Sequence, residues 1–333
     1  MSQPMSPHYL YCFLPVKGKA FTIAMNIFSS LYLWHHILAR QADRDWLEPA
    51  IRAAPSWQQP YTTVARRLIT EGHIDLLSLC KGSCPELPSW APNWSQRVRS
   101  TWSGLESQGS SQRGTQLFHA GGDTVFDVDS GPDHDVYLTV AGYSVDTIRE
   151  IGSIWAADLD DAFDWVAAKT ILNEIEVFLA RSAYYSEERK EEGKWRIPIG
   201  DKELGGLGSH RRATEASRSG WSTMRRAMET INPEGMYNSP EKISFLGMMN
   251  YMHESRPFIS DLGYVGLCPA GAGPGDTIFI PAGGHVPYII RCAGTQENLQ
   301  QWRLLSESFV YSIMDNELGL ERLDSSITRY QLR

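Results

Sequence analysis

The chain has 333 residues, of which 42% are hydrophobic and 21% charged, and its formal net charge is −8. This composition excludes disordered and collagen-like proteins and is typical of a soluble globular protein with one large or two smaller domains. The acidic balance argues against nucleic acid as a partner, because binding to phosphates needs a local excess of Lys and Arg. Five cysteines without a CxxC pair predict no disulfide framework and favour a reducing, cytoplasmic compartment.

The first predicted element is an uncharged stretch, Phe21–Leu38. Its 18 residues reach the lower length limit of a membrane-spanning helix, but its two histidines, its Asn and its serines make transfer into a bilayer costly. Its apolar residues, Trp34 among them, recur at helical spacing. We therefore predict a core helix in an N-terminal helical segment, residues 1–60, and no membrane span.

The middle of the chain alternates helical and extended patterns. Four segments have apolar residues at helical spacing and are predicted to be helices: Thr62–Thr70, Leu159–Ala183, Trp221–Thr230 and Pro240–Met252. Thr124–Val128 and Asp135–Ile148 are predicted to be an antiparallel pair of strands. Ser95–Gly114 has the composition of a mobile loop, and the charged and glycine-rich residues 186–220 have that of a mobile, solvated connector.

The C-terminal third consists of short apolar runs separated by Gly- and Pro-rich turns, such as Gly271–Asp276. This pattern is typical of strands in a small antiparallel sheet or barrel. The elements together predict an α+β fold, in which a helical lobe packs on a small antiparallel sheet or barrel built mainly from the C-terminal third. Residues 61–333 are predicted to form one compact domain.

Common catalytic and cofactor-binding motifs are missing from the sequence. The adjacent His35 and His36 would point about 100° apart on a helix, so they cannot share one metal ion. Gly271–Asp276 lacks the Lys-Ser/Thr pair and the following helix of a phosphate-binding loop, and no GxSxG sequence occurs. We predict no metal and no cofactor, although a triad assembled from distant residues stays open.

Two clusters are candidates for a site. Tyr251–Arg256 (YMHESR) lies between a predicted helix and a predicted strand, a position that active-site residues often occupy. Its alternative is a surface ion pair beside a loop histidine. Trp90 and Trp94 are held by prolines and suit either core packing or the wall of an apolar pocket. The 11 tryptophans of the chain, about twice ordinary usage, favour a search for such a pocket.

Seven blocks of the chain, in the same order, resemble the region that follows the HET domain in fungal heterokaryon-incompatibility proteins. The blocks are YTTVARRLITEGHIDLLS, LPSWAPNWS, FHAGG, LTVAGYSVDTI, GYVGLCPAGAGPGD, GGHVPYIIR and VYSIMDNE, and they span about residues 60–320. Cys268 stands where the family has Gly, and Tyr311, Ser312 and Asn316 replace the His, Gly and Gly of its last motif. The HET domain itself is not recognisable in the preceding residues. The resemblance therefore implies a stand-alone relative that lacks the domain to which the family's cell-death activity is attached.

Stand-alone relatives of this kind resemble cyclases of fungal natural-product pathways, which implies an intramolecular Diels–Alder (4+2) cyclase for a hydrophobic terpenoid diene–enal. Such a reaction needs an apolar, shape-selective cavity and a donor to a carbonyl group, with no metal or covalent intermediate. The candidate catalytic residues are His253, Arg256 and Tyr251. The candidate substrate-binding residues are Trp90, Trp94, Tyr264, Tyr311 and Trp34. The implied partner is a hydrophobic small molecule.

Two alternatives stay open. One is a non-catalytic interaction or regulatory module of the same family, which a structure without an enclosed apolar cavity would favour. The other is a hydrolase or isomerase. That activity would require His253, His285 or His73 to lie within hydrogen-bond reach of a nucleophile or a carboxylate.

Overall fold

A computed structural model describes eleven parts of the chain: residue 56 and residues 58–81, 84–94, 101–103, 117–129, 136–156, 163–205, 210–230, 239–296, 299–320 and 327–333. The predicted N-terminal helix, with Trp34, lies outside these residues. Among the helices in the described part of the chain, none is long and apolar enough to cross a membrane.

Five α-helices lie in the described ranges: α1 Gln58–Thr70, α2 Trp165–Arg181, α3 Glu187–Arg196, α4 Glu215–Ala227 and α5 Pro240–Tyr251. A 3₁₀ helix, Ile74–Leu79, follows α1. The carboxylate of Asp164 caps α2 by accepting two backbone N–H groups, and the hydroxyl of Ser239 caps α5. The four predicted helices are therefore confirmed, although α4 begins six residues before the predicted Trp221. α2 begins at Trp165, and the predicted residues 159–162 lie outside the described part of the chain.

Eleven strands lie in the described ranges: β1 Val128–Asp129, β2 Leu138–Ile151, β3 Lys202–Leu204, β4 His210–Arg212, β5 Ser255–Ser260, β6 Val265–Pro269, β7 Thr277–Pro281, β8 Tyr288–Gln296, β9 Leu299–Glu307, β10 Phe309–Val310 and β11 Thr328–Leu332. β3 and β4 form a separate hairpin, and the other nine share one sheet. β1 pairs antiparallel with β2, which confirms the predicted strand pair, although β1 is shorter than expected.

Five strands of the large sheet close into a ring. Along the order β2–β11–β9–β8–β7, each strand pairs with the next, and β7 pairs again with β2. The β9–β11 pair is parallel and the others are antiparallel. Beyond the ring, the end of β2 pairs with β5, and the sheet continues through β6 to β10. The α+β prediction is thus confirmed, with a strand from the middle of the chain as the hub of the sheet.

The two faces of the sheet bury different apolar clusters. Ile278 and Ile280 of β7 belong to one cluster, whereas Phe279 between them belongs to the other. Neighbouring side chains in a strand point to opposite faces. The larger cluster also contains the buried sides of α1, α2 and α5, so the helices cover one face of the sheet.

Residues 186–220 contain regular structure where the sequence indicates a solvated connector. Ser186 caps α3, two Lys residues of that helix pair with Glu at three-residue spacing, and Arg196 pairs with Glu192 at four-residue spacing. Trp195 is buried, and the hairpin of β3 and β4 follows. The charges that suggest a connector belong instead to one face of a helix whose opposite face packs on the core.

Candidate functional site

A cavity of about 490 Å³, partly open to solvent, lies where the end of α5 meets strands β8 and β9. Its volume is within the range typical of small-molecule sites. Two segments from earlier in the chain complete the wall, namely Thr101–Trp102 and the start of β3. The apolar part of the wall includes Trp102, Met252 and Leu304, and the charged part includes Lys81, Lys202 and Glu307.

The turn after α5 brings two candidate residues to this cavity. Tyr251 ends the helix, and the backbone N–H of His253 donates to the carbonyl of Asn250 at 3.1 Å. Glu254 then has φ = 59°, and its N–H donates to the carbonyl of Trp155 at 2.7 Å. A positive φ is uncommon for a residue other than Gly and reverses the chain sharply. Tyr251 and His253 consequently line the cavity, as their place between helix and strand suggests.

Glu307, the last residue of β9, is the buried carboxylate of the cavity. Its Oε1 lies 3.1 Å from Nζ of Lys81, and its side chain is 1% exposed. Its Oε2 accepts from the backbone N–H groups of Trp102 and Ser103 at 3.0 and 3.4 Å. The carboxylate therefore holds the loop that carries the Trp102 wall.

The 3₁₀ helix presents a polar ridge of three residues to strands β8 and β9. A 3₁₀ helix has three residues per turn, so Asp75 and Ser78 lie on one face, and Lys81 follows at the same interval. Asp75 hydrogen-bonds His285 through Nδ1, Ser78 and Tyr288 share a hydrogen bond of 2.8 Å, and Lys81 pairs with Glu307.

Tyr288 lies in the middle of this ridge and is fully buried. Burial raises the pKa of Tyr288, and the nearby carboxylates of Asp75 and Glu307 raise it further. The phenol therefore keeps its proton and can donate within the ridge. Three separate polar pairs therefore lie in a row along the ridge, from the half-buried His285 to Glu307 of the cavity wall.

His285 also meets the geometric requirement of the hydrolase or isomerase alternative, because it lies within hydrogen-bond reach of a carboxylate. The Asp75 carboxylate accepts from the backbone N–H of His285 at 3.2 Å as well as contacting its Nδ1. The ring of His119 lies 6.0 Å from that of His285. His285 does not line the 490 Å³ cavity, however, so this pair and the cavity are separate features. No group of three or more metal-ligating side chains occurs among the described residues.

Arg256 does not line the cavity, although the sequence places it beside Tyr251 and His253. Its Nε donates to the carbonyl of Gly152 at 2.8 Å, and its Nη1 donates to the carbonyl of Ala270 at 3.4 Å. Side chains alternate across a strand, so Arg256 of β5 points away from the cavity wall to which Ser255 contributes. Arg256 joins three backbone segments.

Trp90 and Trp94 pack in the core. Of the two alternatives for this proline-rich segment, core packing or the wall of an apolar pocket, the structure shows core packing. Trp90 is fully buried, its Nε1–H donates to the carbonyl of Val136 at 2.9 Å, and the Arg66 guanidinium lies 4.7 Å from its ring. Trp94 meets Tyr61 edge to face at 5.4 Å. Neither indole lines the cavity.

Tyr264 and Tyr311 belong to an aromatic cluster built around Tyr184 and Tyr185. Tyr264 lies 4.5 Å from Tyr184, and Tyr311 lies 5.4 Å from Tyr185, between ring centroids. The Tyr311 hydroxyl donates to Glu192 of α3 at 2.8 Å. This cluster fastens α3 to the sheet, and neither of the two candidate residues lines the cavity.

The sequence does not single out Trp102, Lys202 and Glu307, because the residues around each of them have no pattern typical of a site. Trp102 falls in a segment with the composition of a mobile loop, and Lys202 falls in the supposed connector. Glu307 is a single carboxylate at the end of β9. The three-residue spacing of Asp75, Ser78 and Lys81 can be recognised in the sequence. The sequence does not show that these side chains contact His285, Tyr288 and Glu307.

Replacing Glu307 by Gln is expected to lower the free energy of unfolding by about 1–3 kcal/mol. The Lys81 ammonium and two backbone N–H groups would lose a charged acceptor in a buried site. Denaturant unfolding measures this change. As a control, Glu150→Gln removes an ion pair with Arg181 in which both side chains are about half exposed, and it is expected to cost less than about 1 kcal/mol. Equal effects of the two variants would contradict the anchoring role of Glu307.

Part of the cavity wall lies in a region of the chain that matches a known domain family. Residues 234–325 match the Het-6 beta-barrel domain family. The chain is also similar to heterokaryon incompatibility protein 6, OR allele, of Neurospora crassa, with 23% identity over 334 aligned residues that cover 85% of this chain. The alignment covers 47% of that protein, so the chain spans about half the length of this curated relative. Both comparisons therefore find similarity to heterokaryon-incompatibility proteins. No solved structure matches the chain.

Proposed function

We propose that the chain is a regulatory ligand-binding module of the heterokaryon-incompatibility family, in which a hydrophobic small molecule occupies the 490 Å³ cavity. One observation supports this most directly. Part of the cavity wall, from Tyr251 to Glu307, lies in the residues that match the barrel-domain family, whereas Lys81, Trp102 and Lys202 lie outside them. A bound molecule would join the barrel to the rest of the chain.

The chemistry of the wall favours a mainly apolar molecule with one polar group. Trp102, Met252 and Leu304 offer apolar surface. A Trp ring makes a large apolar contact, and a flexible Met side chain adapts to the shape of a ligand. The charged residues of the wall are Lys81, Lys202, Glu254, Arg291, Arg303 and Glu307, of which Lys81 pairs with Glu307 and Arg291 pairs with Asp276. A polar group such as a carbonyl would therefore be recognised by hydrogen bonding at one side of the cavity.

Thermal unfolding in the presence of isoprenoid alcohols, acids and aldehydes tests this proposal. A ligand at 100 times its Kd is expected to stabilise the protein by about 2.7 kcal/mol and to raise its Tm by several degrees. Ser306→Trp would fill the cavity and abolish the shift, because Ser306 is buried in its wall. Leu262→Trp is the matched control, since Leu262 is 62% exposed and lies elsewhere. The cavity is refuted as the binding site if no compound raises the Tm of the unmodified protein. It is also refuted if a compound raises the Tm of Ser306→Trp and Leu262→Trp equally.

A Diels–Alder cyclase is the second candidate function, and the position of Tyr251 and His253 at the cavity favours it. Either side chain could donate a hydrogen bond to the enal carbonyl and polarise the dienophile. Trp102 would supply the aromatic wall that Trp90 and Trp94, packed in the core, do not.

Incubation with a linear diene–enal precursor of a norbornene terpenoid of the sordaricin type separates the two functions. A cyclase is expected to change the ratio of cycloadducts relative to buffer, and His253→Ala is expected to reduce that change. If binding occurs but the ratio equals that in buffer, the regulatory function stands and the cyclase does not.

A further inference from the structure

The wall of the cavity is richer in positive charge than the chain as a whole. The chain has 31 Lys and Arg residues against 39 Asp and Glu residues. Among the described residues of the wall, the cationic side chains outnumber the anionic ones; the cationic residues are Lys81, Lys202, Arg291 and Arg303, and the anionic residues are Glu254 and Glu307. A concave site with an excess of one sign of charge attracts a ligand group of the opposite sign.

Two of these cations, Arg291 of β8 and Arg303 of β9, are directly opposite each other in the antiparallel ladder. Side chains in such a pair lie on the same face of the sheet with their Cβ atoms about 5 Å apart, and like charges there repel each other. Both arginines line the cavity. An anion between two guanidinium groups at this spacing would replace the repulsion by two attractive contacts.

Asp276 fixes the orientation of Arg291. The Asp276 carboxylate, which is 4% exposed, accepts from Nε and from Nη2 of Arg291, both at 2.7 Å. Nη2 also donates to the carbonyl of Gly271 at 2.9 Å. Within the part of the chain that the structure describes, Nη1 of Arg291 makes no hydrogen bond. One edge of the guanidinium is therefore held by the protein, and the two N–H groups of Nη1 remain as donors.

The carboxylates near the pair do not offset both arginines. Asp276 balances the charge of Arg291, and Glu307 is engaged by Lys81 and by the backbone N–H groups of Trp102 and Ser103. Arg303 therefore adds a second positive charge beside a guanidinium that is already oriented. A guanidinium matches a carboxylate in geometry as well as in charge.

We propose that the ligand of the cavity carries a carboxylate, which binds between Arg291 and Arg303. This deepens the proposed function and rests on it, since the ligand must occupy the cavity. Nη1 of Arg291 donates to one carboxylate oxygen, and the Arg303 guanidinium donates to the other. Charge-assisted hydrogen bonds of this kind are shorter and stronger than neutral ones. The apolar body of the ligand lies against Trp102, Met252 and Leu304.

Three compounds with the same apolar body test the head group on the full chain: farnesoic acid, methyl farnesoate and farnesol. Isothermal titration calorimetry at neutral pH is expected to give a Kd about tenfold lower for the acid than for the ester or the alcohol. Raising the salt concentration from about 50 mM to about 500 mM is expected to weaken binding of the acid and to leave that of the ester unchanged, because salt screens ion pairs. Ser306→Trp, which fills the cavity, is expected to abolish binding of the acid.

Arg303→Gln is expected to remove the preference for the acid. Arg303 is exposed, so this change should leave the fold intact. The matched control is Arg329→Gln, because Arg329 of β11 is also exposed, pairs with Asp127 and does not line the cavity. Its Kd values should equal those of the unmodified protein. If Arg303→Gln does not fold, the ratio of the acid and ester Kd values and its salt dependence in the unmodified protein decide.

The outcomes separate this proposal from the proposed function. Equal affinity for the acid and the ester overturns the carboxylate proposal, whereas the proposed function stands, because the cavity then binds the apolar body alone. A preference for the acid that Arg303→Gln leaves unchanged also overturns the proposal, since the carboxylate then binds elsewhere. If none of the three compounds binds, the proposal and the proposed function both fail.

Discussion

Replacement of Trp90 by alanine is expected to lower the free energy of unfolding by about 3–5 kcal/mol, the usual cost of removing a fully buried Trp. The indole fills the core, and its N–H satisfies the carbonyl of Val136. Its loss would also expose the buried Arg66 guanidinium to a void. Denaturant unfolding measured by circular dichroism gives the change directly.

The control for this variant is Tyr251→Ala, which removes an aromatic residue of the cavity wall. Tyr251 is 44% exposed, so a loss of less than about 1 kcal/mol is expected. Ligand binding should respond in the opposite order, with Tyr251→Ala weakening it and Trp90→Ala leaving it intact wherever the protein remains folded. A mild effect of Trp90→Ala on stability, together with loss of binding, would mean that Trp90 is a wall residue after all.

Replacement of Glu203 by Gln is expected to cost about 2–3 kcal/mol at neutral pH, because several donors lose a charged acceptor. The carboxylate accepts from the N–H of Thr214 at 2.9 Å, from the hydroxyls of Thr214 and Ser217, and from Arg211 at 2.8 Å. It thereby fixes the start of α4 to the β3–β4 hairpin. Glu215→Gln is the matched control, since its pair with Arg218 is exposed and long at 3.4 Å.

The effect of Glu203 should depend on pH in a defined direction. Burial raises the pKa of Glu203, but the hydrogen bonds from Ser217, Thr214 and Arg211 outweigh it and leave the pKa below its ordinary value. The folded state therefore binds a proton less readily than the unfolded state. The stabilisation is present above the unfolded pKa, about 4.3, and is lost as the pH falls through the folded value. Unfolding curves of the two proteins should converge in acid; a constant difference would contradict this assignment.

Some features of the molecule follow from local sequence. The helix α2 is visible in its apolar spacing, and the alternation in β2 is visible as a strand, because both patterns depend on neighbouring residues. The turn at Tyr251–Arg256 is likewise recognisable as a junction of helix and strand. Two of its three candidate residues, Tyr251 and His253, lie at the cavity.

Other features could not be predicted, because they depend on which distant segments meet. The sequence around Pro92 is compatible with tryptophans that pack in a core and with tryptophans that line a pocket. The structure shows that Trp90 and Trp94 are buried in the core. Arg256 is adjacent to the cavity in sequence, but strand alternation turns it away. Lys202 and Glu203 have the composition of a connector, yet each is held in a buried polar contact.

The sequence by itself determines the α+β class, the helices, most strands and the turns, since these depend on periodicity, caps and Gly or Pro positions within a few residues. Only the tertiary structure decides the closure of the five-stranded ring, in which β2 pairs with strands from the far end of the chain. It also decides the cavity, whose wall draws on Lys81, Trp102, Lys202 and Glu307. Contacts over such separations depend on packing and on the cost of burying charge, which local composition does not encode. The abundance of tryptophan favours an apolar pocket, and the fold places Trp102, which the sequence does not single out, in the wall of the cavity.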